Sequence, residues 1–238
     1  MLLPGKNVIG VESGGTRTMT TIVCKCQAVE VEFRTTKDLF RQQCCCYDCT
    51  AGLWYANKRG GPRAPSTQCV ESSWLPNDFA IVKGEDKLGA FLNFEGADST
   101  RFYCTQCWSV LFADHPAYEK KLVVTQIASY TEFEGLKNTQ RMDFQARHFV
   151  QDVSPEEIAD LPPWTGDPGR VYQGVSEILM TSFPDLQNQG SEGAEMNAQI
   201  LLARIGGAFV PTNEPRLSGG PPSLMQQTAI ESSGTDAT

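Results

Sequence analysis

Cys44-Cys45-Cys46-Tyr47-Asp48-Cys49 is the stretch on which the reading of this chain turns. A C-x-x-C turn presents two sulfurs to one ion. A C-x-C pair does so too when the backbone is extended, because residues i and i+2 share a face of a strand. The same rule sorts the triple run: Cys44 and Cys46 point one way and Cys45 the other. Two further clusters flank this one, Cys24-Lys25-Cys26 upstream and Cys104-Thr105-Gln106-Cys107 downstream. Zinc takes four tetrahedral thiolate or imidazole ligands in structural sites, whereas a site with three protein ligands keeps a position for water or substrate. Two pairs, Cys24 with Cys26 and Cys104 with Cys107, make a complete four-sulfur set. The triad Cys44, Cys46 and Cys49 supplies only three. Ligand counting therefore predicts two unequal zinc sites, one closed and one open. Spacing alone does not say which cluster meets which, and the triad has a competing reading as a second closed site completed by Cys45, Cys69 or a histidine.

The rest of the chain fits an intracellular metal protein. It has 238 residues, of which 40% are hydrophobic, enough for one good-sized domain. Twenty Lys and Arg against 28 Asp and Glu leave a net charge of −8, a poor default for binding nucleic acid or an anionic membrane. No run of about 18 apolar residues suggests a transmembrane helix. The first residues, Met1 to Lys6, lack the cationic and apolar regions of a secretion signal. Nine cysteines are an odd number for a disulfide framework, and clustered thiols in a reducing compartment more often bind metal. A cytoplasmic location is the expectation. His115 and His148 stand at no tight spacing from any cysteine and read as surface or core residues. Cys69 follows a Pro/Ser loop with no neighbouring thiol and reads as a spare.

Periodicity gives the fold class. Thr20, Ile22 and Cys24 alternate with Thr21 and Val23, then Val29, Val31 and Phe33 alternate with charged residues, as in a half-buried strand. Further strands are expected at Phe79 to Val82, Leu88 to Phe94, Arg101 to Tyr103, Val110 to Phe112 and Lys121 to Ile127. Residues 57 to 68 are loop by composition. The chain divides into a flexible leader (1–16), a zinc-binding, mainly antiparallel β domain (17–165), an extension (166–210) and a disordered tail (211–238). The extension has short helices at Val175 to Met180 and Ala194 to Ile205, and the tail is rich in Gly, Pro, Ser and Thr.

The pattern C-x-C, then C-x-C-x-x-C, then F-x-C-x-x-C resembles the glutathione-dependent formaldehyde-activating enzyme family, which also contains centromere protein V. Leu75 to Leu88, with its strand ending in Gly84-Glu85, and Arg101-Phe102-Tyr103-Cys104-Thr105-Gln106-Cys107-Trp108-Ser109 add to the likeness, which spans roughly residues 20 to 135. The resemblance implies a compact β-tent fold. It implies a structural zinc on Cys24, Cys26, Cys104 and Cys107, and a labile zinc on Cys44, Cys46 and Cys49 where glutathione meets formaldehyde. The implied reaction is carbon–sulfur bond formation or cleavage, with S-hydroxymethylglutathione as product.

Three departures stand out. Cys45 occupies a position where the family often has histidine. Trp108 follows the last zinc cysteine where the family usually has glycine, a residue suited to a left-handed turn. The stretch from Cys49 to Cys104 is extended through the 57–68 loop. A glutathione pocket needs cations for two carboxylates. Lys58, Arg59, Arg63 and Arg101 are the candidates by position, against a plain reading as solvated charge. Trp54 and Tyr55 read as core or as ligand wall. Two other functions fit the same cysteines: a noncatalytic zinc module that binds a partner through the segment after residue 165, and a thiol-based metal or redox buffer.

Overall fold

The alternation at Val29 to Phe33 becomes a strand whose valine and phenylalanine side chains are buried while Glu30 and Glu32 are half-buried. It belongs to the smaller of two sheets in the computed structural model, which describes residues 19–126, 134–173 and 194–211. That sheet has four strands in the order β10-β1-β2-β5, all antiparallel: β1 (Thr20–Val23), β2 (Glu30–Phe33), β5 (Phe79–Lys83) and β10 (Leu136–Lys137). The larger sheet has eight, in the order β12-β11-β3-β4-β9-β8-β7-β6. Its members are β3 (Phe40–Cys44), β4 (Val70–Pro76), β6 (Leu88–Phe91), β7 (Thr100–Cys104), β8 (Val110–Asp114), β9 (Leu122–Thr125), β11 (Ala146–His148) and β12 (Val171–Tyr172).

This mainly β architecture agrees with the reading from periodicity, with one correction. The larger sheet is mixed, because β11 runs parallel to both β3 and β12. Ala146-Arg147-His148 is a three-residue strand with two polar side chains, yet all three residues are buried. Its polarity hid it in the sequence.

The core lies between the sheets. Phe33 and Phe79 from the small sheet meet Phe102 and Phe112 from the large one, with Phe102 stacked on Phe112 at 4.7 Å and Phe33 edge-on to Phe112 at 5.8 Å. Each such ring contributes about 2–3 kcal/mol by leaving water. A second cluster of Phe40, Trp74, Tyr118, Leu122 and Val124 packs under the start of β3. Together these hold β3 and β7, the strands that carry cysteines.

Three α-helices lie among the described residues. The longest, α1 (Tyr47–Asn57), begins inside the cysteine run. Four-residue α2 (Pro155–Ile158) has no buried residue, and α3 (Ala198–Arg204) realises the expected helix of residues 194 to 205 in shorter form. Leu201 and Ala198 of α3 belong to the main core, and Phe209 pairs with β6 through Leu92 N–H to Phe209 O (3.0 Å) and Phe209 N–H to Ala90 O (3.1 Å). The described part of the extension thus shares the core of the β domain. The expected leader, the helix at Val175 to Met180 and the tail from residue 212 lie outside the described residues. Of the loop expected over residues 57 to 68, Asn57 instead ends α1 and residues 58 to 68 are irregular, with Pro62, Ala64, Pro65 and Gln68 buried. No helix of the described residues is long and apolar enough to cross a membrane.

Candidate metal centres

Two hairpin ends build the first centre. Cys24 and Cys26 sit in the β1–β2 turn of the small sheet, and Cys104 and Cys107 in the β7–β8 turn of the large one. The four sulfurs lie within 4.8 Å of one another. Cys24 and Cys26 are 3.5 Å apart, Cys26 and Cys104 3.8 Å. Metal–sulfur bonds of about 2.3 Å in a tetrahedron require sulfur–sulfur edges of about 3.8 Å, so the residues fit such an ion. An ion here would tie one sheet to the other.

Backbone and hydroxyl donors surround these sulfurs. Val29 N–H donates to Cys24 Sγ (3.2 Å), and Ser109 Oγ lies 3.2 Å from Cys107 Sγ. Thiol hydrogen bonds from Cys104 and Cys24 hold Cys107 well below its ordinary range, while the same contacts, with burial, push Cys104 up. The group is built around negative charge on sulfur. Trp108 does take the left-handed backbone that glycine would favour, at φ 53°. Its N–H donates to Cys104 O (2.8 Å), closing the turn. Its indole stacks on Tyr103 at 4.5 Å and meets Tyr55 edge-on at 5.8 Å, which offsets the backbone cost.

The second centre sits where β3 ends and α1 begins. Cys44 is the last residue of β3, Cys46 is the N-cap of α1 and Cys49 lies in its first turn. Cys46 Sγ accepts the Cys49 N–H at 3.3 Å, so a sulfur does the work that a hydroxyl or carboxylate usually does at a helix start. Cys44 lies 3.2 Å from Cys46 and 3.6 Å from Cys49. The three sulfurs form a group that could hold a metal ion. Hydrogen bonds from Cys44 and Cys46 hold the Cys49 thiol well below its ordinary range, and the Arg101 charge adds to this against burial. Burial first, then the neighbouring sulfurs, push Cys44 up. A helix N-terminus favours thiolate in the same direction.

Cys45 faces away from the triad, as the alternation of an extended run requires. It is fully buried beside Cys69 and Val153, and its thiol hydrogen-bonds to that of Cys69. Cys69 is therefore not a thiol without a neighbour, because strand pairing brings it to Cys45. Neither belongs to the group of sulfurs that could hold a metal, so neither closes the triad.

What the triad meets instead is a cavity of about 270 Å³. Cys44, Cys46 and Cys49 line it, together with Tyr47, Asp48, Asp98, His115, Tyr118, His148 and Asp152. His148 is only 2% exposed, and neither ring nitrogen has a hydrogen-bond partner among the described residues. Burial lowers its pKa to about 4, so the ring is neutral. Parallel pairing with β3 puts His148 opposite Cys44, a juxtaposition no sequence spacing reveals. His115 also lines the cavity, and its Nδ1 accepts the Ala117 N–H at 3.0 Å.

The expected cations are elsewhere. Lys58 and Arg63 are exposed, and Arg59 lies over the Tyr55 ring at 3.6 Å. Arg101 is neither a carboxylate receptor in the cavity nor solvated surface charge. It is fully buried and donates to Asp48 Oδ2 (2.6 Å), Asp48 O (2.8 Å) and Ser99 O (3.2 Å). It passes Gly52 of α1 so closely that a Cβ there would stand 2.3 Å from Nε. Arg101 therefore pins the first turn of α1, and with it Cys49, to β7. Tyr55 belongs to the core, and Trp54, half-buried against it, donates from Nε1 to Pro65 O at 3.3 Å; neither lines the cavity.

Fold and centres define a class: a two-sheet β protein with one closed four-cysteine group and one three-cysteine group open to a cavity. No family model matches the chain, and no curated protein matches it. Among solved structures, a structural-genomics protein from Rhodobacter sphaeroides is 17% identical, with a TM-score of 0.30 over 48% of this chain and 89% of that one.

Proposed function

We propose that this chain is a two-zinc, carbon–sulfur lyase-like protein that makes or breaks the bond between a thiol and formaldehyde, as in S-hydroxymethylglutathione. The observation that carries the reading is the contrast between four sulfurs gathered across two hairpin turns and three sulfurs facing a cavity. The likeness of the cysteine spacing to the formaldehyde-activating family supports the same assignment. A zinc ion held by Cys44, Cys46 and Cys49 would supply Lewis acidity that favours the thiolate form of an incoming thiol at neutral pH.

The residues of this chain do the rest. Cys44, Cys46 and Cys49 would hold the ion, and the Arg101–Asp48 pair fixes the turn that carries Cys49. Cys24, Cys26, Cys104 and Cys107 would hold the second zinc and clamp the sheets. His148 offers two unpartnered ring nitrogens to whatever enters the cavity. In the forward direction the thiolate sulfur attacks the carbonyl carbon, the π pair moves to oxygen, and that oxygen takes the proton the thiol gave up.

The test is exchange spectroscopy by NMR on the zinc-loaded protein with glutathione and formaldehyde. Exchange between free and adduct thiol should exceed that in buffer and should fall to the buffer rate in Cys46→Ser. An exchange rate equal to buffer in the wild-type protein with glutathione and with a small thiol without carboxylates alike removes the enzymatic reading.

A further inference from the structure

The charge around the triad restricts which thiol can enter. Three carboxylates line the cavity, those of Asp48, Asp98 and Asp152, and no lysine or arginine is among the described residues that line it. Asp48 is spent on Arg101 and on Asn93, whose Nδ2 reaches Oδ1 at 2.6 Å. Asp98 stands 3.9 Å from His115 Nε2, and Asp152 accepts from the Tyr47 backbone. Three thiolates around a divalent ion leave one further negative charge. The only lysines and arginines outside the described residues are Lys6, Arg17 and Arg216.

Glutathione brings two carboxylates. Entering this cavity, they would lose water and meet carboxylates instead of cations, which costs affinity. At the same time His148, buried and unpartnered at both nitrogens, calls for a ligand that hydrogen-bonds without charge. The hydroxyl of a thiol–formaldehyde adduct both donates and accepts, and it answers that need.

The geometry points to a small thiol without carboxylates, favoured further by a cationic amine, as the thiol this site accepts. The inference rests on reading the triad as a thiol-binding centre. Asp98 and Asp152 are the groups that meet the amine, and His148 meets the adduct oxygen. The step is the same addition: thiol sulfur bonds to the aldehyde carbon, the carbonyl π bond opens, and the thiol proton ends on oxygen, with no change of oxidation state.

The experiment measures binding first, by calorimetry on the zinc-loaded protein, with dimethylaminoethanethiol, mercaptopropionate and glutathione. The tertiary amine prevents ring closure with formaldehyde, so the same thiols serve for exchange NMR. The cationic thiol should bind about tenfold tighter than either acid, the effect of one charge contact of about 1.4 kcal/mol. Asp98→Lys should narrow that ratio at least threefold while leaving zinc content unchanged. Equal binding of all three thiols, tighter binding of glutathione, or a ratio untouched by Asp98→Lys overturns the inference. The outcomes separate from those for the enzyme: rapid exchange with glutathione alone sinks the inference and keeps the lyase reading. Selective binding of the cationic thiol with no exchange above buffer keeps the inference and sinks the lyase reading.

Discussion

Asp48→Ala strands a charge. Arg101 is fully buried and has one carboxylate partner among the described residues, Asp48 Oδ2 at 2.6 Å. Removing one member of a buried ion pair leaves the other uncompensated, which costs about 3–5 kcal/mol. The lower end applies here, about 3 kcal/mol, because the Asp48 side chain is 30% exposed and Arg101 keeps two backbone carbonyls. The loss should appear as a lower urea midpoint with an unchanged slope. The effect should be local as well as global. Asp48 opens α1, so the triad should lose zinc to chelator sooner, while the four-cysteine group keeps its ion. Arg101→Met in the same chain removes the stranded charge and should restore at least half of the loss, a coupling that a merely misfolded variant would not show. A loss below about 1 kcal/mol in Asp48→Ala, or no recovery in the double variant, would refute the view that this pair holds the open centre in place.

Gly52→Ala should act through the same pair: although alanine is the better helix former by about 1 kcal/mol, its Cβ falls 2.3 Å from Arg101 Nε, so the thermal midpoint should drop. Trp108→Gly relieves a left-handed residue worth about 1 kcal/mol but removes an indole stacked on Tyr103, so chemical denaturation should show a net loss of about 1–2 kcal/mol. Asp114→Asn probes pH. Burial raises the Asp114 carboxyl to about 6, so its protonated form belongs to the folded state and wild-type stability from this group is lost as pH rises through that value. The variant should match wild type below pH 4 and exceed it by about 1–2 kcal/mol above pH 6, by denaturation at each pH; a constant difference across that range would contradict the assignment.

The cysteines were legible because thiolate chemistry imposes short spacings. The face rule for extended chain separated Cys45 from Cys44 and Cys46, and ligand counting separated three sulfurs from four. Strands with alternating burial, such as Glu30–Phe33, were legible for the same periodic reason. Helix α1 was not. Thr50, Ala51, Gly52, Leu53, Tyr55 and Ala56 are all buried, so no polar face marks a 3.6-residue period, and the helix starts on cysteines. The neighbours of His148 and Cys69 emerge only from strand pairing, β11 on β3 and β4 on β3. Arg101 looked like surface charge because its partner, Asp48, lies 53 residues away in sequence. Long-range pairing of polar groups leaves no local signature.

Metal content tests the central claim, two unequal thiolate centres, most directly. Zinc per chain is measured on the purified protein before and after a mild chelator, in wild type and in Cys46→Ser. Wild type should hold two zincs that fall to one, and the variant one resistant zinc. Two zincs that resist chelator equally, or a Cys46→Ser protein that still holds two, would contradict it.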